Sequence, residues 1–300
     1  MEHVIELSHV TKDFGGNRGV FDIDFCVQKG EVFGYLGPNG AGKSTTIRQL
    51  MGFIRPQRGE CKILGMDCFK ETDKVQRHVG YLAGEIAFMD DMSGLEYIEF
   101  IAKMKGIQDM YRMNELIERF ELNPKSKIRK MSKGMKQKIG LVTAFMGNPQ
   151  VLILDEPTSG LDPLMQNRFV ELVLEEKKRG TTILMSSHIF DEVERTCDRT
   201  AIIRQGRIVD TVSMETLSNI KSKVYVVTLK DERCALRMAK ESGLHIKEVK
   251  SNKVKIRVKD DLPDVLRTIA GYEPEGLEME SQTLEELFMH YYGEDGVKNV

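Results

Sequence analysis

Residues 37–45 of this chain read Gly37-Pro38-Asn39-Gly40-Ala41-Gly42-Lys43-Ser44-Thr45. The apolar run Val32–Leu36 precedes them and a helical pattern begins at Gly42, which is the strand–loop–helix context of a G-x-x-x-x-G-K-[ST] phosphate loop. Glycines let successive backbone N–H groups approach phosphate oxygens, and the helix N-terminus adds positive potential. The segment predicts a nucleotide-phosphate site with Lys43 between the β- and γ-phosphates and Ser44 on magnesium; a glycine-rich turn is the alternative.

A second apolar run ends in two acids, Val151-Leu152-Ile153-Leu154-Asp155-Glu156. A buried parallel strand would deliver these carboxylates to a nucleotide at the edge of the sheet. We predict that Asp155 holds magnesium, directly or through water, and that Glu156 polarises the attacking water as a general base. Taken alone, the segment also fits a solvated acidic strand end.

Short β-rich runs alternate with helical patterns over the first part of the chain, which is typical of an α/β fold with a parallel sheet. Between about residues 85 and 147 no strand pattern occurs. Ser93 and Glu96 there match a capping box, and apolar residues recur at helical spacing, so we predict a helical insert. The predicted strands cover residues 32–36, 79–82, 151–154, 182–185 and 201–204.

Beyond residue 220 the composition changes to Lys/Glu-rich alternation, and the order of elements changes with it. The patterns predict a strand, a helix, a hairpin around Ser251-Asn252 and another helix, in an order that suits a small ferredoxin-like α+β unit. We therefore predict two domains, residues 1–220 and 221–300. The elements expected in the second are strand 224–229, helix 235–242, strands 246–249 and 254–258, helix 262–270, a strand near 277–279 and helix 284–292.

Composition narrows the class of function. The 300 residues carry 44 Lys and Arg against 46 Asp and Glu, a net charge of −2, so no global attraction to nucleic acid or an anionic membrane is expected. No apolar stretch approaches the roughly 20 residues of a spanning helix, and the first residues lack the pattern of a secretory signal. Five cysteines without C-x-x-C spacing indicate neither a disulfide framework nor a zinc site. We expect a cytoplasmic chain with no nucleic-acid partner.

Four further sequence features distinguish among the families that have a phosphate loop. They are Phe14 in a polar turn, Met131-Ser132-Lys133-Gly134-Met135, Ser159-Gly160-Leu161-Asp162, and His188 after a predicted strand. They resemble the adenine-stacking aromatic, the Leu-Ser-Gly-Gly-Gln signature, the D-loop and the switch histidine of ABC proteins. From residue 4 to about 218 the chain therefore resembles an ABC ATPase cassette, which implies a RecA-like phosphate-loop NTPase fold that binds and hydrolyses ATP with magnesium.

The resemblance also implies roles for individual residues. In the family the signature completes the nucleotide site of a second, head-to-tail cassette, so we expect an ATP-bound homodimer. His188 is expected to contact the γ-phosphate and stabilise developing charge, with Lys43 and Glu156 as the other catalytic residues. The residues expected at ATP are Phe14, Gly37, Pro38, Asn39, Gly40, Ala41, Gly42, Lys43, Ser44, Thr45, Ser132, Gly134 and Asp162, and those expected at magnesium are Ser44, Asp155 and Glu85.

Two places depart from the family pattern. Lys133 and Met135 replace a glycine-type residue and the glutamine of the common signature, while Gln137 lies two residues on. Where the family usually has the Q-loop glutamine, alignment places Gly84, followed by Glu85. Glu85 either supplies the missing oxygen to magnesium or is a solvated loop acid.

Within the family the pattern resembles the ATPases of drug, peptide-antibiotic or lipid-type exporters, whose permeases are usually separate chains. The tail resembles the accessory domain that many of these carry. We expect the chain to power transport, with export favoured, through a transmembrane permease that docks beside the helical insert near residues 85–105. The protein would then lie peripherally on the inner face of the cell membrane.

Three alternatives stay open. A soluble ABC ATPase that remodels ribosomes or DNA usually has two cassettes or a long coiled coil, whereas this chain has one phosphate loop and no sustained heptads. A small-molecule phosphotransferase would use the phosphate loop without the signature, D-loop or switch histidine. A regulator that binds nucleotide but hardly hydrolyses it would fit the altered signature and Q-loop.

Overall fold

The computed structural model describes residues 2–215, 223–258 and 262–280. The chain divides into two compact units, Met1–Met214 and Glu215–Val300. The domain boundary predicted at residues 220–221 and the helix predicted over residues 284–292 lie outside the described residues, so both stay predictions. Among the described helices, none has the length and apolarity to cross a membrane.

The first unit combines ten strands with seven α-helices in its described part. The strands are β1 (His3–Asp13), β2 (Gly19–Gln28), β3 (Val32–Leu36), β4 (Arg58–Ile63), β5 (Met66–Asp67), β6 (Val79–Leu82), β7 (Val151–Asp155), β8 (Thr182–Ser187), β9 (Arg199–Arg204) and β10 (Arg207–Ser213). The helices are α1 (Lys43–Leu50), α2 (Thr72–His78), α3 (Gly94–Met104), α4 (Tyr111–Arg119), α5 (Lys133–Phe145), α6 (Pro163–Lys178) and α7 (Phe190–Thr196), with a 3₁₀ turn at Ile128–Lys130.

A six-stranded sheet of order β10-β9-β3-β8-β7-β6 forms the centre of this unit. Its strands pair in parallel except for β10, which pairs antiparallel with β9 at the edge. Strands β3 and β7 are buried along their whole length, as parallel strands covered on both faces are. The predicted α/β fold is confirmed. Because β3, β8 and β7 are neighbours, the loops that follow them meet at one edge of the sheet.

A second, antiparallel sheet of order β2-β1-β4-β5 was not predicted from the sequence. It shares a core with the parallel sheet and α1, to which Ile5, Phe33, Ile47 and Ile153 contribute. Helix α1 therefore packs against this shared core, which holds the loop before the helix in place.

The helical insert contains α3, α4 and α5. Ser93 Oγ accepts from the Glu96 N–H while the Glu96 carboxylate accepts from the Ser93 N–H, so the predicted capping box is confirmed. Buried Arg112 on α4 donates to Glu176 on α6 at 2.6 Å. The insert is thereby joined to α6.

The second unit contains β11 (Lys223–Thr228), α8 (Glu232–Glu241), β12 (Ile246–Lys250), β13 (Lys253–Val258), α9 (Leu262–Ala270) and β14 (Gly276–Glu280). Its antiparallel sheet has the order β12-β13-β11-β14, which is the ferredoxin-like arrangement expected from the sequence. Val227, Met238, Ile256 and Ile269 belong to its own core.

Candidate functional site

The loop between β3 and α1 begins the candidate site. Gly42 has φ 112°, and a Cβ there would lie 2.7 Å from Val20 Cγ1, so both the backbone conformation and the packing require glycine. Helix α1 starts at Lys43, which directs the helix N-terminus and its free N–H groups towards the loop.

Lys43 is buried, with 5% of its surface exposed. Its Nζ donates to the carbonyls of Gly37 at 2.6 Å and Pro38 at 3.2 Å, and lies 3.0 Å from Glu156 Oε1 as an ion pair. The ammonium is therefore held directly over the loop, where it can neutralise an anion that the loop binds.

Asp155 ends β7 and is buried. Its Oδ1 accepts a hydrogen bond from Ser186 Oγ on the neighbouring strand β8. A Cβ at Gly84 would lie 3.1 Å from Asp155 Oδ2, so the glycine in the Q-loop position lets that loop approach the carboxylate closely.

Glu156 has a backbone conformation that non-glycine residues rarely adopt, with φ 51°. Its carboxylate contacts two predicted catalytic residues: Lys43 through Oε1, and His188 Nδ1 through a hydrogen bond to Oε2. His188 follows β8 and is about half exposed. Glu156 and His188 directly follow the adjacent strands β7 and β8, and Lys43 begins the helix that follows β3, the other neighbour of β8.

One cavity of about 690 Å³ contains most of the predicted nucleotide and metal residues. The predicted residues that line it are Phe14, Pro38, Asn39, Gly40, Gly42, Lys43, Ser44, Thr45, Glu85, Asp155, Glu156 and His188. Gly37, Ala41, Ser132, Gly134 and Asp162 are not among its lining residues. Gly37 and Ala41 belong to the same loop, whereas the other three lie elsewhere.

The signature residues lie at the start of α5. Ser132 caps the helix by accepting from the Met135 N–H at 3.2 Å, and Ser132 itself is exposed. Asp162 likewise caps α6 through the Met165 N–H at 3.0 Å. A Cβ at Gly134 would lie 2.6 Å from the Gly160 carbonyl oxygen, so the signature packs directly on the D-loop of its own chain.

Phe14 is 52% exposed and lines the cavity, with Lys12 Nζ 5.7 Å from its ring centre. The ring is therefore not a core residue, and its role in stacking on adenine stays a prediction. Asn17, Arg18 and Gln205 also line the cavity and were not predicted. Asn17 and Arg18 follow Gly15-Gly16 in a polar turn, and that turn is the signal that could have found them.

The oxygen ligands that magnesium prefers are present in this cavity as the Ser44 hydroxyl and the Asp155 and Glu85 carboxylates. Over residues 2–215, 223–258 and 262–280, no group of three or more His, Cys, Asp or Glu side chains is arranged to hold a metal by itself. The set fits an ion that keeps waters and takes further ligands from nucleotide phosphates, as magnesium does.

Two buried polar residues beside the site were not predicted as functional. Gln137 on α5 donates its amide to the carbonyls of Glu156 and Pro157 at 3.2 and 2.9 Å. Glu192 on α7 accepts at Oε2 from Ser187 Oγ at 2.8 Å and Thr158 Oγ1 at 3.1 Å. Burial raises the pKa of the Glu192 carboxyl to about 7, against the lowering effect of these two hydrogen bonds.

Residues 20–159 match the family model for ABC transporters. The chain is 31% identical over 302 residues to the bacitracin transport ATP-binding protein of Bacillus licheniformis, covering 98% of both chains. It is 33% identical over 265 residues to the linearmycin resistance ATP-binding protein of Bacillus subtilis, covering 85% of this chain and 84% of that one. A solved ATP-binding subunit of an ABC transporter superposes with a TM-score of 0.67 at 31% identity, over 71% of this chain and 91% of that one.

Proposed function

Because this chain belongs to the ABC transporter family, as an ATP-binding protein and an ATPase, we propose that it powers export through a separate transmembrane permease. The meeting of Lys43, Glu156 and His188 in one cavity carries the catalytic part of the proposal. Similarity along the whole chain to a bacitracin transport ATP-binding protein supports the transport role. A drug or peptide antibiotic is the cargo class that this relative favours.

ATP binding uses groups already placed around the cavity. The backbone N–H groups of the loop before α1 and of its first turn bind the phosphates, and Lys43 exchanges its carbonyl partners and Glu156 for phosphate oxygens. The exposed Phe14 ring provides a face on which adenine stacks. Ser44, Asp155 and Glu85 line the cavity and would hold magnesium, which would supply positive charge against the phosphates.

Hydrolysis requires a base aimed at the attacking water. Glu156 fills this role, because ATP binding frees its carboxylate from Lys43 and leaves it free to accept a proton. His188, already bonded to Glu156, stays within reach of both this carboxylate and the γ-phosphate. It therefore orients the base and stabilises the charge that develops on the phosphate.

A second copy of the chain completes the site. Ser132, Gly134 and Asp162 lie outside the cavity lining of their own chain, and Ser132 is exposed at the N-terminus of α5. Such a helix start binds an anion favourably. A head-to-tail homodimer places it against the partner's ATP.

The permease docks beside the helical insert near residues 85–105. Met89 and Met104 are exposed apolar side chains in this range, and exposed Phe53 packs edge-on against Tyr81 of β6, with ring centres 5.7 Å apart. Exposed apolar side chains of this kind suit a cytoplasmic helix of a membrane protein. The chain then lies peripherally on the inner face of the membrane.

Co-purification tests this proposal. Tagged Glu156→Gln protein is incubated with ATP and detergent-solubilised native membranes, since the substitution retains ATP while slowing its hydrolysis. We expect a multi-span membrane protein to co-purify, and to be lost with Lys43→Ala, which weakens phosphate binding. Recovery of ribosomal or nucleic-acid-associated proteins in its place would show that the ATPase serves a remodelling function.

A further inference from the structure

Gln137 is a buried polar residue on a helix that otherwise buries mainly apolar side chains. It is 4% exposed, and its Nε2 donates to the carbonyl oxygens of Glu156 at 3.2 Å and Pro157 at 2.9 Å. A buried amide without such partners costs on the order of 1–3 kcal/mol. The two hydrogen bonds therefore fix the side chain of Gln137 and the peptide groups that follow Glu156 with respect to each other.

The backbone of Glu156 needs such support. Its left-handed conformation, φ 51°, costs roughly 1–3 kcal/mol for a non-glycine residue and persists only where the surroundings impose it. On the N–H side, Ser186 accepts through its carbonyl and its hydroxyl, both at 3.2 Å. On the carbonyl side, the Ser159 N–H and the Gln137 amide donate. Gln137 is the only one of these groups that comes from the helical insert.

We propose that Gln137 is a positioning residue of the ATPase, which holds the main chain of Glu156 so that its carboxylate points at the reacting water. The inference rests on the proposed role of Glu156 as general base. Backbone conformation sets the direction of the Cα–Cβ bond, so a relaxed Glu156 would move its carboxylate away from Lys43 and His188. A misplacement of about 1 Å can cost on the order of 10²-fold in rate.

The same helix also touches the D-loop at its start. Lys133 Nζ donates to Ser159 Oγ at 2.8 Å, and Gly134 packs on the Gly160 carbonyl. Helix α5 thus holds the segment from Glu156 to Gly160 at both its ends. Gln137 thereby links two parts of the chain: the signature, which contacts the ATP of the partner in the dimer, and Glu156, the base for the ATP of its own chain.

The test compares Gln137→Leu and Gln137→Met with Gln76→Leu. All three remove a glutamine amide that donates to a main-chain carbonyl, but the partner of Gln76 is Met51, which is not among the cavity lining residues. We expect the Gln137 variants to lower kcat by roughly 10- to 100-fold, with KM and ATP affinity within about threefold. Gln76→Leu should keep kcat within about twofold. Melting curves establish that each variant is folded at the assay temperature. If one of the two Gln137 variants does not fold, the other is used for the comparison.

A double-mutant cycle with Glu156→Gln separates this inference from the proposed function. If Gln137 acts through the base, Gln137→Leu causes no further loss in the Glu156→Gln background, measured in single turnovers. Losses that multiply, or an unchanged kcat in both Gln137 variants, would overturn the positioning role while leaving the base assigned. A Glu156→Gln rate equal to that of the parent chain would instead remove Glu156 as the base, and with it the ground for the inference.

Discussion

Glu192 is an acid in an environment that opposes its charge. It is 4% exposed, and both of its hydrogen bonds are received at Oε2, while Oε1 is buried without a hydrogen-bond partner. Burial is the largest cause of its raised pKa, about 7 against an ordinary 4.5, and the charge of Glu156 adds to it. Through Thr158 and Ser187 it joins the segment after Glu156 to the strand end before His188.

The raised pKa predicts how stability depends on pH. Between about pH 4.5 and 7 the folded protein retains a proton that the unfolded chain has released, so the free energy of unfolding falls as pH rises through this window, by roughly 3 kcal/mol. Glu192→Gln stays neutral and removes that loss. We therefore expect its Tm to exceed that of the parent chain by about 5 °C at pH 8, and the difference to vanish below about pH 4.

The control for this prediction is Asp191→Asn on the same helix. Asp191 is exposed and paired with Arg195 at 3.3 Å, so its Tm difference from the parent chain should change little with pH. If Glu192→Gln melts at or below the parent temperature at pH 8, Glu192 is ionised in the folded protein at little cost.

At the scale of the element, α4 and α6 are joined by ion pairs of different burial. Arg112 and Glu176 are nearly inaccessible, and Glu176 also accepts from Arg179 at 2.9 Å and Thr181 at 3.1 Å. Arg119 and Glu175 form a second pair at 2.6 Å, of which Glu175 is half exposed. Disruption of the Arg112–Glu176 pair, unlike that of the Arg119–Glu175 pair, leaves a charged side chain buried.

This difference predicts a non-additive response. Glu176→Leu alone should lower the free energy of unfolding by about 3 kcal/mol, because buried Arg112 then keeps only its partly exposed partner Glu115, at 2.7 Å. Arg112→Leu combined with Glu176→Leu should lose less than Glu176→Leu alone, because no buried charge remains. Urea unfolding measures both.

Glu2→Ala is the control for an exposed ion pair outside α4 and α6. It removes the partner of Lys29 at 3.1 Å in a largely exposed pair, and should change stability by less than about 1 kcal/mol. A double variant that loses as much stability as Glu176→Leu, or more, would show that α4 and α6 do not depend on the pair as a unit.

At the scale of the whole molecule, the signature does not line the nucleotide cavity of its own chain. This separation predicts that two copies of the chain associate when ATP binds. Glu156→Gln should double its mass in light scattering when ATP and magnesium are added, and return to the monomer mass when ATP is removed. Lys43→Ala should stay monomeric under the same conditions. If Glu156→Gln stays monomeric at saturating ATP, the site functions without a second copy of the signature.

Local sequence determined the parts of this protein that depend on short-range chemistry. The phosphate loop and its helix, the apolar strand that ends in Asp155, the Ser93–Glu96 capping box and the hairpin at Ser251 were all predictable. Each depends on a backbone preference or a side-chain period within a few residues. The described elements of the second unit were predicted in order for the same reason.

Only the tertiary structure decided which distant residues meet. The antiparallel sheet was missed because β1 carries register shifts, between His3 and Ile5 and again after Leu7, and these break the alternation that marks a strand. In the sequence, Gln137 is noted only as a glutamine two residues beyond the altered signature, and Glu192 carries no signal. Their hydrogen bonds to Pro157 and Thr158 span 20 and 34 positions. Side-chain periodicity specifies which face of an element is buried, whereas the packing of the whole chain specifies what that face touches.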